Sequence, residues 1–221
     1  MKISIIVPVY KEQNINNFLK QFLNHCYFEL IVVDGDGLST VERIQSQVRD
    51  ITTISSQKGR ANQMNCGAKL AKGEMLLFLH ADTYLPNNAL DEIEKSSQKY
   101  VAGAFDFKFD TQKIILKIIS TIASLRSRVT RIPYGDQAIF IKKDVFEALG
   151  GYEDILLMED VALMRKLKKH KHKINILNSK VTTSARKWEE RGIIYTTLRN
   201  WVLILLYLIG VKPNALARFY F

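Results

Sequence analysis

Three short apolar runs constrain what this chain can fold into. Ile3-Ser4-Ile5-Ile6-Val7, Leu30-Ile31-Val32-Val33 and Met75-Leu76-Leu77-Phe78-Leu79 are apolar with almost no polar alternation. A strand that reads this way is covered on both faces, as strands in parallel sheets are. Between the runs the spacing turns helical. Ile15, Phe18, Leu19, Phe22, Leu23 and Cys26 fall on one stripe. Ala61, Met64, Ala68 and Ala71 form a second stripe of mostly small residues, which lets a helix approach a sheet closely. Repeated strand–helix units imply right-handed crossovers. The expected class is α/β, a mostly parallel central sheet flanked by helices.

The remaining segments extend this pattern. Pro8 is expected to end the first ladder, Thr40 to Arg49 to form a short helix, Ile51 to Ile54 a third strand, and Gly73 a left-handed helix cap. Phe105, Phe107 and Phe109 alternate with Asp106 and Lys108, which predicts a strand with one wet face. A helix over Lys113 to Ser127 has apolar residues dense enough to surround it. Ala138 to Ile141 reads as a strand, Asp144 as the cap of a helix through Leu149, and Glu159 as the start of another helix. The last helix is expected over 193–209. A bilayer span needs about 20 apolar residues, and Arg199-Asn200 interrupts this one. It reads as a core helix, a homodimer contact or a membrane-surface helix. No Pro-, Gly- or Ser-rich linker divides the chain. One domain over 1–221 is expected, changing character between 1–100 and 101–190 and closing with the C-terminal apolar helix (191–221).

At 221 residues, 47% hydrophobic and 24% charged, the composition is globular. Cys26 and Cys66 match no metal spacing and read as free buried thiols. No secretory pattern follows Met1-Lys2, so the expected location is cytoplasmic, peripheral at the inner membrane face if the last helix meets lipid. A net charge of +10 attracts polyanions. The densest cluster, Arg165 to Lys173, has no interleaved aromatic residues for base stacking. Nucleic acid is not an expected partner, and the cluster reads as a solvated helix end.

The chemistry concentrates in two places. The run Met75–Leu79 stops at His80-Ala81-Asp82-Thr83, which sets one carboxylate at a strand tip. Ligands of open α/β sheets bind at the carboxyl ends of strands, and such an Asp can hold a divalent cation and through it a diphosphate. Downstream, Glu159-Asp160 follows Gly150-Gly151-Tyr152. A carboxylate there also has a structural reason, since a helix start favours it by about 0.3–1 kcal/mol. Asp34 before Gly35 reads equally as a turn residue. Arg60 opens a helix, where a cation is slightly unfavourable, and that mismatch favours function. Neither a G-x-G-x-x-G after the first strand nor a G-x-x-x-x-G-K-[ST] is present.

Pro8-Val9-Tyr10-Lys11-Glu12, Val32-Val33-Asp34-Gly35, Gly59-Arg60-Ala61, His80-Ala81-Asp82-Thr83, Gly135-Asp136-Gln137, Gly150-Gly151-Tyr152 and Met158-Glu159-Asp160 occur in that order. With this set the chain resembles the family 2 glycosyltransferases of GT-A fold over nearly its whole length. It looks closest to a small bacterial-type subgroup reading Leu-His-Ala-Asp-Thr and ending in a Ser-Ala-Arg-x-Trp segment, here Ser184-Ala185-Arg186-Lys187-Trp188. The resemblance implies that Pro8, Tyr10 and Glu12 line the nucleotide pocket, that Asp34 binds the base, and that Arg60 approaches the phosphates or base. His80 replaces the first Asp of the family's Asp-x-Asp, and Asp82 keeps the position that ligates Mg²⁺ or Mn²⁺. Asp160 would be the general base, with Glu159 its less favoured neighbour. Gly135, Asp136, Gly150 and Gly151 would meet the donor sugar or acceptor, Arg186 the diphosphate and Trp188 an acceptor ring. The implied activity is inverting transfer from a nucleoside-diphosphate sugar, UDP-sugar first, to a small-molecule or lipid-linked hydroxyl acceptor. One rival is a sugar-nucleotide nucleotidyltransferase, which wants a Gly-rich phosphate loop. The other is a noncatalytic, membrane-associated nucleotide-sugar-binding module, against which the two retained aspartates argue.

Overall fold

The computed structural model describes residues 1–23, 28–44, 48 and 51–220. Along the chain come β1 (Ile3–Val9), α1 (Ile15–Leu19), β2 (Phe28–Asp34), β3 (Ile51–Ser55), α2 (Arg60–Leu70), β4 (Met75–Phe78), β5 (Thr83–Tyr84), α3 (Ala89–Ser97) and β6 (Ala102–Phe109). There follow α4 (Ile114–Thr130), β7 (Phe140–Lys142), α5 (Lys143–Ala148), α6 (Glu159–Lys169), β8 (Ile174–Thr183), α7 (Arg186–Arg191), α8 (Ile193–Leu208) and α9 (Pro213–Tyr220). The strands form one eight-stranded sheet in the order β3-β2-β1-β4-β7-β6-β8-β5. Strands β1 to β4 are parallel to one another, and β6 and β8 are parallel. The short strand β7 runs antiparallel to both β4 and β6 and joins the two halves, and β5 is antiparallel to β8.

The sheet is covered on both faces, which is why its central strands carry no polar alternation. One face packs Ile5, Val7, Leu30, Val32 and Leu77 against α1, α3 and α4. The other packs Ile6, Ile31, Val33, Leu76 and Phe78 against α2, α5 and α6. The small stripe of α2 works as its composition implies. A β-carbon on Gly67 would stand 2.5 Å from Ile6 and 3.0 Å from Val33. A separate cluster of Leu157, Leu203, Leu216 and Ala217 ties α8 and α9 to the loop before α6.

Several local expectations change. Pro8 does not end β1; the strand continues to Val9, with Pro8 opposite Val33. Pairing with β4 stops at Ile6, whose carbonyl accepts from Leu79 N–H. Residues two apart in a strand point their backbone groups to the same side, so the missing Pro8 donor faces a ladder already finished. Gly73 has no left-handed φ. It is glycine because a β-carbon would meet Ser4 N at 2.7 Å and Lys2 O at 2.8 Å. Strand β6 has no alternating wet face: Asp106 is buried and pairs with Arg128 of α4 at 2.8 Å, leaving Lys108 alone exposed. The helix expected at Thr40 begins as a 3₁₀ turn over Val41–Arg43 and is extended at Ile44; the rest of that stretch, like Cys26, lies largely outside the described residues. Asp144 sits inside the first turn of α5 and bonds its neighbour's N–H, and Lys142 holds the cap position.

Candidate active site

The carboxyl ends of β1, β2 and β4 open onto one edge, and the start of α6 meets them there. Asp160 Oδ2 accepts the N–H of Gly135 at 2.6 Å, and Oδ1 accepts the N–H of Val161 at 2.7 Å. A β-carbon at position 135 would stand 3.0 Å from His80 Nε2 and 3.5 Å from Asp160 Oδ2. Gly135 is therefore where the strand-tip histidine and the helix-start aspartate converge. Beside them Arg60 Nε pairs with Glu159 Oε1 at 2.9 Å, its Nη2 donating to Oε2 at 3.5 Å. Non-glycine residues in the left-handed region sit in the loops that build this edge: Lys11, Ala138 and Met158, the residue before Glu159. Such strain persists only where surrounding structure imposes it, and it collects at functional sites.

The electrostatics knit these groups together. Burial, with Arg60 nearby, lowers His80 to about 4 against the pull of Asp82 and Asp160. The imidazole is neutral at pH 7. Burial raises Asp136 to about 6, opposed by Arg126 and helped by Asp160 and Asp82. Burial raises Glu159 to about 7, opposed by Arg60 and helped by Asp160. Burial works against the Arg60 charge, but Glu159, Tyr220, Asp160 and Asp136 outweigh it and the guanidinium is raised. Asp82, Asp136, Asp160, His80, Glu159 and Arg60 thus form one interacting group. Asp82 and Asp160, distant in sequence, both act on the His80 imidazole.

Other expected residues have local duties. Asp34 is fully buried. Its carboxylate accepts the N–H groups of Asp36 (2.9 Å), Thr40 (2.7 Å) and Val41 (3.3 Å). It organises the loop after β2, at the strand end that opens onto the edge. Glu12 accepts the Asn14 N–H and donates its own N–H to Thr40, so it shapes the start of α1. Pro8 is half-buried, and Tyr10 is exposed at 42% with the Lys58 ammonium 4.3 Å from its ring centre. Gly150 and Gly151 both have positive φ and end α5. A β-carbon on Gly151 would stand 2.6 Å from Asn65 Oδ1, so the close approach is to α2 and not to the carboxylates. Arg186 is exposed at the start of α7. Trp188 packs on Phe109, ring centres 4.7 Å apart, and its indole N–H lacks a partner among the described residues.

Two contributors had no motif to announce them. Arg126 of α4 lies over the Tyr134 ring at 3.3 Å and bears on Asp136 and Asp160. Asn65 of α2 clamps Tyr152 through its N–H (2.9 Å) and carbonyl (2.8 Å). A polar residue on a helix flank carries no periodic signal of such a role.

The donor set can be tested against the implied cation. Among the described residues no three His, Cys, Asp or Glu form a cage by themselves. Mg²⁺-type sites in nucleotide enzymes need only one or two carboxylates, with phosphates and water completing the shell. Asp82 at the strand tip, and Asp136, whose buried Oδ1 has no hydrogen-bond partner among the described residues, are carboxylates of the kind that pattern uses.

Comparison with known proteins agrees with this architecture. The model of glycosyl transferase family 2 matches residues 4–146. An uncharacterized glycosyltransferase of Haemophilus influenzae is 30% identical over 184 residues, 75% of this chain and 61% of that protein. TarP of Staphylococcus aureus, a poly(ribitol-phosphate) beta-N-acetylglucosaminyltransferase, is 27% identical over 104 residues, 42% of this chain and 32% of that one. The chain thus spans less than two thirds of the length of these curated relatives. In fold it matches S. aureus TarS 1-349, with a TM-score of 0.62 at 17% identity over 98% of this chain and 68% of that one. It also matches the mannosyltransferase PcManGT of Pyrobaculum calidifontis, solved with GDP-Man and Mn²⁺, with a TM-score of 0.62 at 18% identity over 83% and 56%. With the family model matching well over half of its length and a GT-A-like α/β sheet carrying the acidic edge, the chain belongs to glycosyl transferase family 2.

Proposed function

We propose that this chain is an inverting glycosyltransferase that moves a sugar from a nucleoside diphosphate, UDP first, to a hydroxyl acceptor. The observation that carries the reading is the convergence of Asp160 and His80 on Gly135, with Asp82 and Asp136 in the same charge cluster. TarS is known in complex with UDP-GlcNAc and PcManGT with GDP-Man, and a similar donor suits this edge.

Asp160 takes the proton of the acceptor hydroxyl as that oxygen attacks the anomeric carbon. The bond from the anomeric carbon to the diphosphate oxygen breaks on the opposite side, its electrons leave with the diphosphate, and the configuration inverts. General-base assistance of this kind supplies about 10²–10⁴-fold in rate. Asp82 would hold Mg²⁺ or Mn²⁺, with His80 and Asp136 in the same charge cluster. When bound, the cation would neutralise charge on the departing diphosphate. Gly135 keeps its N–H on Asp160 and aims the free lone pairs. Arg60 counters the charge of Glu159, and donor phosphates can compete for that guanidinium. Residues 1–100 would serve as the nucleotide half and 101–190 as the acceptor and catalytic half. The match to the Leu-His-Ala-Asp-Thr subgroup belongs to this proposal, as does a small or lipid-linked acceptor.

A thermal-shift series with UDP-GlcNAc, UDP-glucose and GDP-mannose, each with and without Mn²⁺, tests it. Ligand at a hundredfold excess over its Kd stabilises by about 2.7 kcal/mol. A shift with one donor that needs Mn²⁺ and is lost in Asp82→Asn supports the reading. No metal-dependent shift with any donor sinks it.

A further inference from the structure

Helix α4 is inside out. The residues it buries are Leu116, Ser120, Ser124 and Ser127. The residues it exposes are Ile114 (74%), Ile118, Ile122, Leu125 and Val129 (76%), at helical spacing along one stripe. Helix α8 repeats the pattern with Ile194, Leu198, Trp201 (55%), Leu205 and Leu208 outward. An exposed stripe this long on one helix calls for a partner, and here two helices carry one.

The two helices share neighbours at both ends. At their starts, Lys113 pairs with Glu189 of α7 at 2.8 Å, and α7 runs through Gly192 into α8. At their ends, Ile132 and Tyr207 line one hollow with Arg165, Lys166 and Lys168 of α6. The two helices are thus linked at both ends, and each stripe is about 25 Å long by helix rise.

The exposed charge around the two stripes is mostly basic. Lys117, Arg131, Arg191, Lys212 and Arg218 are exposed, Arg126 and Arg128 turn inward toward Asp136 and Asp106, and the acidic residues beside the stripes are Glu189, paired with Lys113, and Glu190 of α7. An isologous dimer would lay this patch against its own copy and bring like charges together. An apolar stripe flanked by Lys and Arg, with Trp201 and Tyr195 half-exposed within it, matches a bilayer interface with anionic headgroups. No helix among the described residues is long and apolar enough to cross a membrane, so contact would be from the side. We infer that α4 and α8 together form a docking face for an anionic phospholipid bilayer, with the basic end of α6 against the headgroups. This goes beyond the catalytic reading and is scored without donor or turnover.

The test is co-sedimentation of the full chain with vesicles of phosphatidylcholine alone and of phosphatidylcholine mixed with phosphatidylglycerol. Binding is expected to the mixed vesicles only, to weaken in high salt, and to blue-shift Trp201 fluorescence, a shift absent in Trp201→Phe. Ile118→Glu and Leu205→Glu should each weaken binding about tenfold or more, as loss of one buried aliphatic side chain implies. Lys117→Glu and Lys212→Glu should each weaken it about fivefold. Unchanged melting temperatures establish that these surface variants fold. Three results would each overturn the inference: no preference for anionic vesicles, wild-type binding by both Ile118→Glu and Leu205→Glu, or a dimer in buffer that dissolves on Leu205→Glu.

Discussion

Helices α2 and α4 meet the same sheet from opposite faces and with the same device, yet their outer sides are opposites. Each presents small residues inward: Ala61, Gly67 and Ala68 on α2, Ser120, Ser124 and Ser127 on α4. Each sends an arginine toward one acidic cluster, Arg60 from α2 and Arg126 from α4. Away from the sheet, α2 turns half-buried Asn65 onto Tyr152 and shows Lys69 and Leu70 only at its last turn, while α4 shows isoleucine along its length. Close approach selects small side chains whatever their polarity, since a serine can bond its own helix, as Ser120 and Ser127 do to the carbonyls of Lys117 and Ala123. Apolar period alone therefore misorients α4, and steric demand orients it.

The cluster that both helices supply is the place to break the comparison first. Asp160→Asn should lower turnover by about 10²–10⁴-fold while donor affinity by calorimetry stays near wild type; a nucleotide-sugar sensor would keep its output instead. The packing of α2 comes next. Gly67→Ala pushes a methyl to 2.5 Å from Ile6, and overpacking of this kind costs about 1–3 kcal/mol in a urea melt. Midpoints equal to wild type would show that the contact gives way easily.

A smaller effect sharpens the arginine side. Glu159 lies at about 7 in the fold, raised from 4.5 chiefly by burial. Its contribution to stability is complete below about pH 4.5 and is lost as pH rises through 7. Stability measured against pH should fall over that window in the wild type and flatten in Glu159→Gln. Parallel profiles would place the buried proton elsewhere. Smallest of all, Ile118→Ser on the outer side of α4 should change stability by no more than about 0.5 kcal/mol. A loss like that of a core isoleucine would mean the stripe is covered by protein.

The parallel half was readable because burial on both faces leaves unbroken apolar runs, and β1, β2 and β4 lie where those runs lie. The two acidic motifs were readable because strand ends and helix starts concentrate ligands and charges. Three things were hidden. Asp34 carries a turn and a base-contact reading in the same letters, and its turn role shows only in the three backbone donors that gather around it. Asp106 looks like a wet-face residue until Arg128, brought over by α4, pairs with it. Strand β8 and helices α7 and α9 gave no strong period, and they form through contacts far along the chain, such as β8 beside β6 and α9 against Leu157.

The central claim is that Asp160 activates an acceptor oxygen on the face of the sugar opposite its diphosphate. Water can stand in for the acceptor. Proton NMR of the first sugar released from an α-linked UDP-sugar, before mutarotation, reports the face of attack. The β anomer is expected, formed far more slowly by Asp160→Asn. An α anomer, or release at an unchanged rate by that variant, would contradict the account.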